Sequence, residues 1–346
     1  MPAFEGITAN EVWRKAVDLL RKESAVQASR GGETKEALHV AFEIHDPIQR
    51  WVVDRLPAVS VAFAIVEVIG ILNGRRDSGY LNFFNPRLPE FAGKGTEYHG
   101  AYGHRLRSNL GFDQLERAFS VLMRDPNSRQ IVLQVWDGTQ DFPQNDGRPA
   151  APDIPCNLCS MLKIRNGKLE WAQIMRSNDL FKGLPYNIVQ FTCLQEVVAG
   201  WLGVGVGHYA HFSDSLHLYA DEVEQTYRHD DVPVEPNTDS LALPREKADR
   251  VWQEMNHRVD RLVNSPLDRA AYLDMSVIQE APVAFSNLMR VVVADAAWRY
   301  GHVDVAFDVM AGCTNRALTQ LWERWAARKK AVRPFGARGS ERVQSA

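Results

Sequence analysis

The chain has 346 residues, 45% of them hydrophobic and 24% charged, with a formal net charge of −3 at pH 7. This size allows one large globular domain or two smaller ones, and a charge so close to neutrality argues against nucleic acid as a partner. Apolar runs stay well short of the roughly 20 residues that span a bilayer. The N-terminus lacks the basic and apolar segments of a signal peptide, so we expect a cytoplasmic protein that does not act at a membrane.

The first half of the chain predicts helices and strands, with one carboxylate inside an apolar helix. Helices are expected over 9–23, 59–74 and 112–126, strands over 37–44 and 129–137, and a loop rich in Asp, Gly and Pro over 138–153. Gly74 ends the second helix as a C-terminal glycine cap. That helix carries a single carboxylate, Glu67, and burial of a carboxylate is costly unless it has partners or a role.

The second half predicts a hairpin, further helices and a strand of uncertain end. "SMLKIR" and "KLEWAQIMRS" alternate apolar and polar residues on either side of "NGK", a strong turn signal. A helix is expected over 188–203, and "GVGHYAHFSDSLHLY" is expected to pass from a strand into a helix near Leu216. From about Leu241 the chain is predicted to be helical. Strands and helices without regular alternation indicate an α+β fold, with one sheet covered by helices.

Four cysteines in a chain of this length argue against a disulfide framework: Cys156, Cys159, Cys193 and Cys313. The first two form a C-x-x-C pair. A zinc site needs a second ligand pair at a suitable distance, which the sequence does not provide. A thiol–disulfide exchange motif would open a helix, whereas this pair lies in the predicted hairpin. We therefore predict no metal site.

Cys156 is the thiol whose position indicates chemistry. It follows Pro155 at the start of a predicted strand, and Arg176 comes later in the same hairpin, on its other strand. A guanidinium near a thiol favours the thiolate, which is the nucleophilic form. A lone cysteine is more often a small buried hydrophobic residue, so the surrounding motifs have to decide between these interpretations.

Those motifs resemble the core of the thymidylate synthase family. The family has a cysteine after proline, an Arg-Ser-x-Asp after a hairpin, and a Gly-Leu-Pro-Phe-Asn just beyond. The corresponding segments here are "PC" (155–156), "RSND" (176–179) and "GLPYN" (183–187), with further matches at "HLY" (217–219), Glu67 before "ILNG", "AYGHRLR" (101–107) and "DPNSRQIV" (125–132). The match covers roughly 60–230. Each motif is short, but their order and spacing together are specific.

The resemblance implies a site for a pyrimidine nucleoside monophosphate. Cys156 would add to C6 of the base and make C5 nucleophilic. A planar guanidinium suits the phosphate, and a side-chain amide suits the base edge. The nucleotide would be bound by Arg176 and Ser177 at the phosphate, by Asn187 at the base, and by His217 and Tyr219 at the sugar.

The same resemblance implies 5,10-methylenetetrahydrofolate as the second ligand. Glu67 would order water and move protons, and Tyr102 would help to remove the C5 proton. Asp179 would hold the pterin ring. Gly183 and Leu88 would lie beside the folate.

A homodimer is also implied, with contacts to the phosphate across the subunit interface. In the family, the segment that matches 125–132 lends two arginines to the partner's site; here it supplies Arg129, and Gln130 replaces the second. The histidine that follows the cysteine in the family is Asn157 here, beside the base. The N-terminal arginine loop is not recognisable, and Arg50 is the candidate substitute.

Other departures fall on the folate side. Leu88 or Pro89 occupies the place of a tryptophan that packs against the folate, and the tail that closes over it is not recognisable. Excluding water is how a site prevents capture of a reactive intermediate. The losses therefore favour a hydroxymethylase, in which water captures the C5 methylene intermediate of CMP, dCMP or dUMP.

Besides a thiol enzyme that does not use folate, two alternatives remain open at this point. One is a divergent thymidylate synthase that methylates dUMP, and the other is a catalytically inactive nucleotide-binding protein, although binding alone would not need a thiol nucleophile. In the family, Asn187 favours uracil, but its carbonyl can also accept from a cytosine amine. Taken singly, Asp179 and Asn187 could cap turns, Tyr102 could belong to the core, and His217 could begin a helix.

The sequence divides into four segments on this interpretation. They are an N-terminal helical segment (1–36), a catalytic core (37–240), a helical C-terminal extension packed on the core (241–334), and a disordered tail (335–346). Every predicted site residue lies in the second segment.

Overall fold

The computed structural model describes residues 1–22, 26–29, 32–226 and 233–332, which adopt an α+β fold. Seven strands in these ranges form one sheet. They are β1 (Ala3–Gly6), β2 (Val26–Ser29), β3 (Gly32–Ile44), β4 (Val132–Gln134), β5 (Asn157–Arg165), β6 (Lys168–Asp179) and β7 (Gly205–Tyr219). The order is β1-β3-β7-β6-β5-β4, and β2 pairs with the first part of β3. The β1–β3 and β6–β7 pairs are parallel and the others antiparallel, so the sheet is mixed.

Helices pack on this sheet and continue beyond it along the chain. They are α1 (Ala9–Lys22), α2 (Val61–Leu72), α3 (Gly79–Phe84), α4 (Leu88–Ala92), α5 (Tyr102–Arg107), α6 (Gln114–Arg124), α7 (Gly138–Asp141), α8 (Leu184–Leu202), α9 (Val223–Thr226), α10 (Arg245–Asn264), α11 (Arg269–Met275), α12 (Val283–Arg299), α13 (Val303–Ala311) and α14 (Arg316–Val332). α8 packs on β6 and β7, and α10, α12 and α14 pack on α2. Within the described ranges, no helix is both long enough and apolar enough to cross a bilayer.

Two apolar helices, α2 and α8, pack against each other in the interior. α2 begins after Ser60, whose hydroxyl accepts a hydrogen bond from the Phe63 amide, and the chain leaves it through Gly74 at φ 68°. Nearly all side chains of both helices are buried, so neither helix has a polar face in water. Hydrophobic burial therefore fixes the positions of the few polar groups they carry, among them Glu67 and Asn187.

The β5–β6 hairpin has the turn that its sequence predicts. Asn166 and Gly167 have φ values of 51° and 71°, the left-handed conformation of a two-residue type I′ turn. This turn sets the strand register from the Arg165–Lys168 pair to the Cys159–Ile174 pair, and a β-bulge between Asn157 and Cys159 shifts it by one residue near the far end of the hairpin. There the Arg176 amide donates to the Cys156 carbonyl over 2.9 Å, so the two residues are neighbours.

The expected helix near Leu216 is wrong, because β7 runs without interruption from Gly205 to Tyr219. β3 and β6 form hydrogen-bonded ladders on its two sides along most of this length. Two such ladders outweigh the weak strand preference of its Gly, Ser and Asp residues. His217 is therefore a strand residue, not the start of a helix.

Two other expectations for the sheet are corrected. The segment 1–36 contains β1 and β2 as well as the expected helix, so it is not purely helical. In the segment 129–137 only Val132–Gln134 forms a strand, and Val132 is 54% exposed because this strand is an edge of the sheet. The predicted disordered tail, 335–346, lies outside the described residues.

One face of the central strands is apolar and partly exposed. The strand register puts Trp171 and Tyr209 on the buried face, and the alternate residues on the other. On that other face the side chains are intermediate in exposure; they are Met161, Ala172, Ile174, Ala210 and Phe212.

Candidate active site

A cavity of about 1180 Å³ lies between α2, α5, the start of α8 and the ends of β6 and β7. This volume is slightly above the usual range for small-molecule sites, so the cavity has room for more than one ligand. Residues from widely separated parts of the chain meet there. Of the residues predicted for the site, those that line the cavity are Glu67, Leu88, Tyr102, Cys156, Arg176, Ser177, Asp179, Gly183, Asn187, His217 and Tyr219.

Cys156 is half-buried at the cavity wall, and its sulfur lies 4.0 Å from Nη2 of Arg176. Backbone carbonyls hold that guanidinium in place: Nη2 donates to Ile154 over 3.1 Å and Nε donates to Pro155 over 2.9 Å. The loop before β5 therefore fixes a positive charge beside the thiol. A cation at this range favours the nucleophilic thiolate.

The other cysteine of the C-x-x-C pair has different surroundings. Cys159 lies within β5 and is not among the residues that line the cavity. Burial raises the pKa of Cys159 and so disfavours its thiolate. The two thiols therefore differ in their surroundings, and of the two only Cys156 lines the cavity.

Glu67 enters the cavity from α2 as a carboxyl group with a perturbed pKa. Burial raises the pKa of Glu67 to about 8, and a hydrogen bond with Gln190 partly offsets this effect. Its Oε2 has no hydrogen-bond partner among the described residues. The group is therefore mostly protonated at neutral pH, and it can donate as well as accept a hydrogen bond.

Tyr102 reaches the same cavity because α5 packs directly on α2. A Cβ on the next residue, Gly103, would lie 2.6 Å from the carbonyl oxygen of Gly70, so only glycine permits this approach. Burial raises the pKa of Tyr102 well above its ordinary value, and the nearby charge of Cys156 acts in the same direction. The phenol stays protonated and is available as a donor.

The ends of β6 and β7 bring a hydroxyl, an imidazole and a phenol together. Ser177 Oγ and His217 Nδ1 are 3.4 Å apart, and the rings of His217 and Tyr219 have centroids 5.7 Å apart. Lys182 adds a charge nearby: its Nζ lies 4.4 Å from the centre of the Tyr219 ring and 3.0 Å from Glu222. A hydroxyl, an imidazole, a phenol and an ammonium group therefore line one end of the cavity, and each can donate a hydrogen bond.

Asp179 and Asn187 both have a structural contact as well as a place in the cavity wall. Asp179 Oδ1 accepts hydrogen bonds from the amides of Phe181 and Lys182, each over 2.7 Å, and so caps the turn before α8. Asn187 Nδ2 donates to Oδ1 of Asn178 over 3.1 Å. Both residues still line the cavity.

Arg129 and Gln130 do not reach this chain's cavity. Both are exposed, and neither belongs to its lining. The expected place of Asn157 beside the base is corrected by the structure. Asn157 is fully buried, its Oδ1 accepts a hydrogen bond from Gln173, and it does not line the cavity. Arg50 is buried in an ion pair with Glu196 and contacts Cys193, so it is not a substitute for the arginine loop.

Some cavity residues were missed by the sequence analysis: Arg55, Asn178, Gln190, Trp325 and Arg328. Gln190 is 4% exposed, and its Oε1 has no partner in the described part of the chain. It could have been found, because it lies three residues after Asn187 and so shares its helix face. Trp325 and Arg328 come from α14, and no local sequence signal connects that helix with the cavity.

Arg55 is the most deeply buried cation of the cavity. It is 7% exposed, its guanidinium carbon lies 4.1 Å from the centre of the Phe181 ring, and its Nε has no partner among the described residues. Burial lowers the pKa of Arg328, and the charges of Arg55 and Arg87 lower it further, which shows that these cations are neighbours. The part of the cavity around Arg55 and Arg328 is therefore suited to an anion.

A separate group of possible metal ligands lies on the sheet. Glu43, His45 and His208 offer donor atoms within 4.8 Å of one another, and no other such group of three occurs in the described ranges. They are partly or fully exposed, already pair with one another, and do not line the cavity.

Residues 49–252 match the family model described as thymidylate synthase. The deoxyuridylate hydroxymethyltransferase of Bacillus phage SP01 is 32% identical over 279 residues, which cover 74% of this chain and 72% of the phage protein. That of Pseudomonas phage M6 is 34% identical over 178 residues, 51% of this chain and 49% of the phage protein. The crystal structure of thymidylate synthase from T4 phage has a TM-score of 0.50 and 22% identity, covering 62% of this chain and 78% of that one. This last likeness supports the fold alone.

The fold, the thiol beside a guanidinium and these relatives define a folate-dependent one-carbon transferase. The chain belongs to the thymidylate synthase family. It therefore carries out the family's transfer of a one-carbon unit to C5 of a pyrimidine nucleotide. 5,10-Methylenetetrahydrofolate is the general one-carbon donor of this family.

Proposed function

We propose that the protein hydroxymethylates C5 of deoxyuridylate, with water as the final nucleophile. The observation that carries the proposal is the contact of Cys156 with Arg176 at a cavity that has Leu88, not a tryptophan, at the matching place on the folate side. Two similar phage proteins are named deoxyuridylate hydroxymethyltransferases, which supports uracil as the base. An asparagine at 187 supports it as well. CMP and dCMP are the other candidate substrates.

The proposed reaction starts and ends at Cys156. Its thiolate adds to C6 of the base, and the carbanion so formed at C5 would take the one-carbon unit from the folate. Tyr102 helps to remove the proton from C5. The electron pair left at C5 would form the double bond to the methylene carbon, while the bond from that carbon to the folate nitrogen breaks and tetrahydrofolate leaves. Water then forms a bond to the exocyclic methylene carbon, and the electron pair of the C5–methylene double bond moves towards the C4 carbonyl. That pair returns to form the C5–C6 double bond and expels the thiolate. The proton that water loses neutralises the departing sulfur, and Glu67 orders this water.

The phosphate and the sugar have their own proposed partners. Arg176 and Ser177 bind the phosphate, and His217 and Tyr219 bind the sugar hydroxyl, since these donors face one end of the cavity. Asn187 reads the base with one acceptor and one donor. Asp179 keeps one carboxylate oxygen for the pterin ring while the other caps the turn.

5,10-Methylenetetrahydrofolate supplies the one-carbon unit when it is bound. The residues fit such a ligand because Arg55 is a buried cation with an unpartnered Nε, and the tail of a folate carries carboxylates. Leu88 and Gly183 line the same cavity as Arg55. A Cβ at Gly183 would lie only 3.2 Å from the carbonyl oxygen of Asp179, so a larger residue would be crowded at this position. Arg55, Gly183 and Leu88 would therefore hold the folate.

We also propose a cytoplasmic homodimer. The partly exposed apolar face of β5, β6 and β7 would be covered by a second copy of the chain. Arg129 is exposed and outside its own chain's cavity, as a residue that reaches the partner's phosphate must be.

One specific observation favours a second candidate, methylation of dUMP. Trp325 of α14 lines the cavity, so an aromatic side chain from another part of the chain is available to exclude water from it. It is 4% exposed and packs on Trp298, which makes it part of the wall.

The decisive experiment is incubation with dUMP, dCMP, UMP or CMP and 5,10-methylenetetrahydrofolate, followed by mass spectrometry of the nucleotide. We expect 5-hydroxymethyl-dUMP and tetrahydrofolate. A methylated nucleotide, with the absorbance rise of dihydrofolate, would refute hydroxymethylation in favour of the synthase reaction. Binding of nucleotide without any C5 hydrogen exchange would identify an inactive binding protein.

A further inference from the structure

Behind Asn187 lies a buried chain of polar side chains that the proposed reaction does not use. Asn178 Nδ2 lies 3.1 Å from His211 Nε2 and 3.4 Å from Ser213 Oγ. On the other side of the imidazole, His211 Nδ1 lies 3.0 Å from the hydroxyl of Tyr209. None of these four side chains is more than 2% exposed.

The imidazole in this chain of contacts is neutral. Burial lowers the pKa of His211 to about 3, and its ring stacks on Phe42 at a centroid distance of 4.5 Å. A neutral imidazole has one donor nitrogen and one acceptor nitrogen. When Nδ1 donates to Tyr209, Nε2 is the acceptor, and it faces both Asn178 Nδ2 at 3.1 Å and the Ser213 hydroxyl at 3.0 Å. Whichever of the two donates to Nε2, the amino group of Asn178 has an acceptor on this side, because Ser213 Oγ also accepts from Asn178 Nδ2 over 3.4 Å.

This arrangement determines which way Asn187 turns. Because the amino group of Asn178 faces His211, its carbonyl oxygen faces Asn187 and accepts from Nδ2 of that residue. Met175 Sδ, 3.3 Å from Asn178 Nδ2, is a second acceptor on the same side and favours the same orientation. Reversing the Asn187 amide would bring two carbonyl oxygens together, which costs a buried hydrogen bond.

We propose that Asn178 and His211 are positioning residues for base specificity, because they hold the Asn187 amide in the single orientation that pairs with uracil. This inference rests on the proposed role of Asn187 as the reader of the base. The fixed Oδ1 accepts from N3–H of uracil, and the second Nδ2 hydrogen donates to O4. Cytosine has an acceptor at N3 and a donor at C4, so it meets the fixed amide with both groups mismatched.

The network predicts what happens when the amide is released. In Asn178→Leu the side chain is of similar size but gives Asn187 no acceptor, so the amide can rotate and accommodate either base. A site with a fixed polar complement rejects the wrong partner strongly, and we expect the dUMP-over-dCMP preference to fall about tenfold or more in this variant. Asn178→Asp keeps an acceptor for Asn187 Nδ2, so it should retain most of the preference.

A second variant tests the same point from outside the cavity. His211 is not among the residues that line the cavity, so His211→Leu cannot touch the nucleotide directly. It removes the acceptor that orients Asn178, and it should lower the preference as well, although less than Asn178→Leu does. Thr192→Val is the matched control. Thr192 is fully buried on α8, the helix that carries Asn187, and its hydroxyl donates to the backbone carbonyls of Ile188 and Val189 on that helix.

The measurements are dissociation constants for dUMP and dCMP by titration calorimetry, the ratio of kcat/KM for the two nucleotides, and the melting temperature of each variant. We expect the ratio to fall in Asn178→Leu and His211→Leu and to hold in Asn178→Asp and Thr192→Val. An equal loss of affinity for both nucleotides in Asn178→Leu, or an unchanged ratio in His211→Leu, would overturn the inference. The titrations do not depend on the product, so a methylated product would refute hydroxymethylation and leave this test valid. A wild-type protein that binds neither nucleotide, or that prefers dCMP, would overturn the inference itself.

Discussion

Cys156 and Cys159 provide a test at the scale of single residues, because the two thiols have different surroundings. Cys156 lines the cavity beside Arg176, whereas Cys159 lies outside the lining and burial raises its pKa. Cys156→Ser should lose turnover and exchange of the C5 hydrogen by several orders of magnitude, because a hydroxyl is a far weaker nucleophile than a thiolate at neutral pH. Both are measured with dUMP labelled at C5. A comparable loss in Cys159→Ser would mean that the C-x-x-C pair is the working unit.

Glu67 gives a pH-dependent prediction. Burial raises its pKa in the folded protein to about 8, well above the ordinary value of 4.5 for a glutamate, so the folded state binds this proton more tightly than the unfolded state does. The free energy of unfolding should therefore fall as pH rises between these two values, by up to about 1.4 kcal/mol per pH unit from this group. Glu67→Gln cannot lose a proton, so its stability relative to wild type should rise across the same window.

Urea unfolding at several pH values measures this difference. The control is Glu246→Gln, which alters an exposed carboxylate on α10 and should leave the slope unchanged. Parallel curves for wild type and Glu67→Gln would show that the carboxyl is ionised in the folded protein, contrary to the proposed role of its proton.

At the scale of elements, α14 connects the C-terminal helices with the site. Arg328 from this helix lines the cavity near Arg55, and the repulsion between such cations is relieved by an anion. Removing one exposed charged contact is worth around 1 kcal/mol or less, so Arg328→Ala should raise KM for the folate about three- to fivefold and change KM for the nucleotide little. The control is Arg316→Ala at the start of the same helix, whose side chain is 82% exposed. Equal increases in KM for the folate and for the nucleotide would show that α14 does not specifically contact the folate.

At the scale of the whole molecule, the prediction is a site shared between two chains. Arg129→Ala should bind nucleotide poorly, because a charge-assisted contact with a phosphate is worth about 1.5–3 kcal/mol. Cys156→Ala should bind but not react. If each site takes Cys156 from one chain and Arg129 from the other, a mixed dimer has one intact site and one site with both lesions.

Refolding the two inactive variants together tests this arrangement. With random exchange about half of the dimers are mixed, and half of their sites are intact, so roughly a quarter of wild-type activity should return. Activity is assayed at subsaturating nucleotide, with a tag on one variant to confirm exchange. Recovery no greater than the sum of the separate variants would place Arg129 in its own chain's site or outside any site.

The sequence by itself determined the family, the α+β class and the local elements whose signals are strong. The Asn166–Gly167 turn, the apolar helix around Glu67 and the glycine that ends it follow from backbone chemistry that neighbouring residues share, so short patterns were enough. The motif order around Cys156 identified a thymidylate synthase-like enzyme, and the family comparison confirmed it.

Only the tertiary structure decided matters that depend on distant partners. β7 continues through Leu216 because two neighbouring strands bond it, and Asn157 turns into the interior, where Gln173 is its partner. The contact of Asn187 with Asn178 and His211, and the arrival of α14 at the cavity, join segments far apart in the chain. Such contacts leave no periodic signal in the sequence, because packing of the whole chain sets which side chains meet.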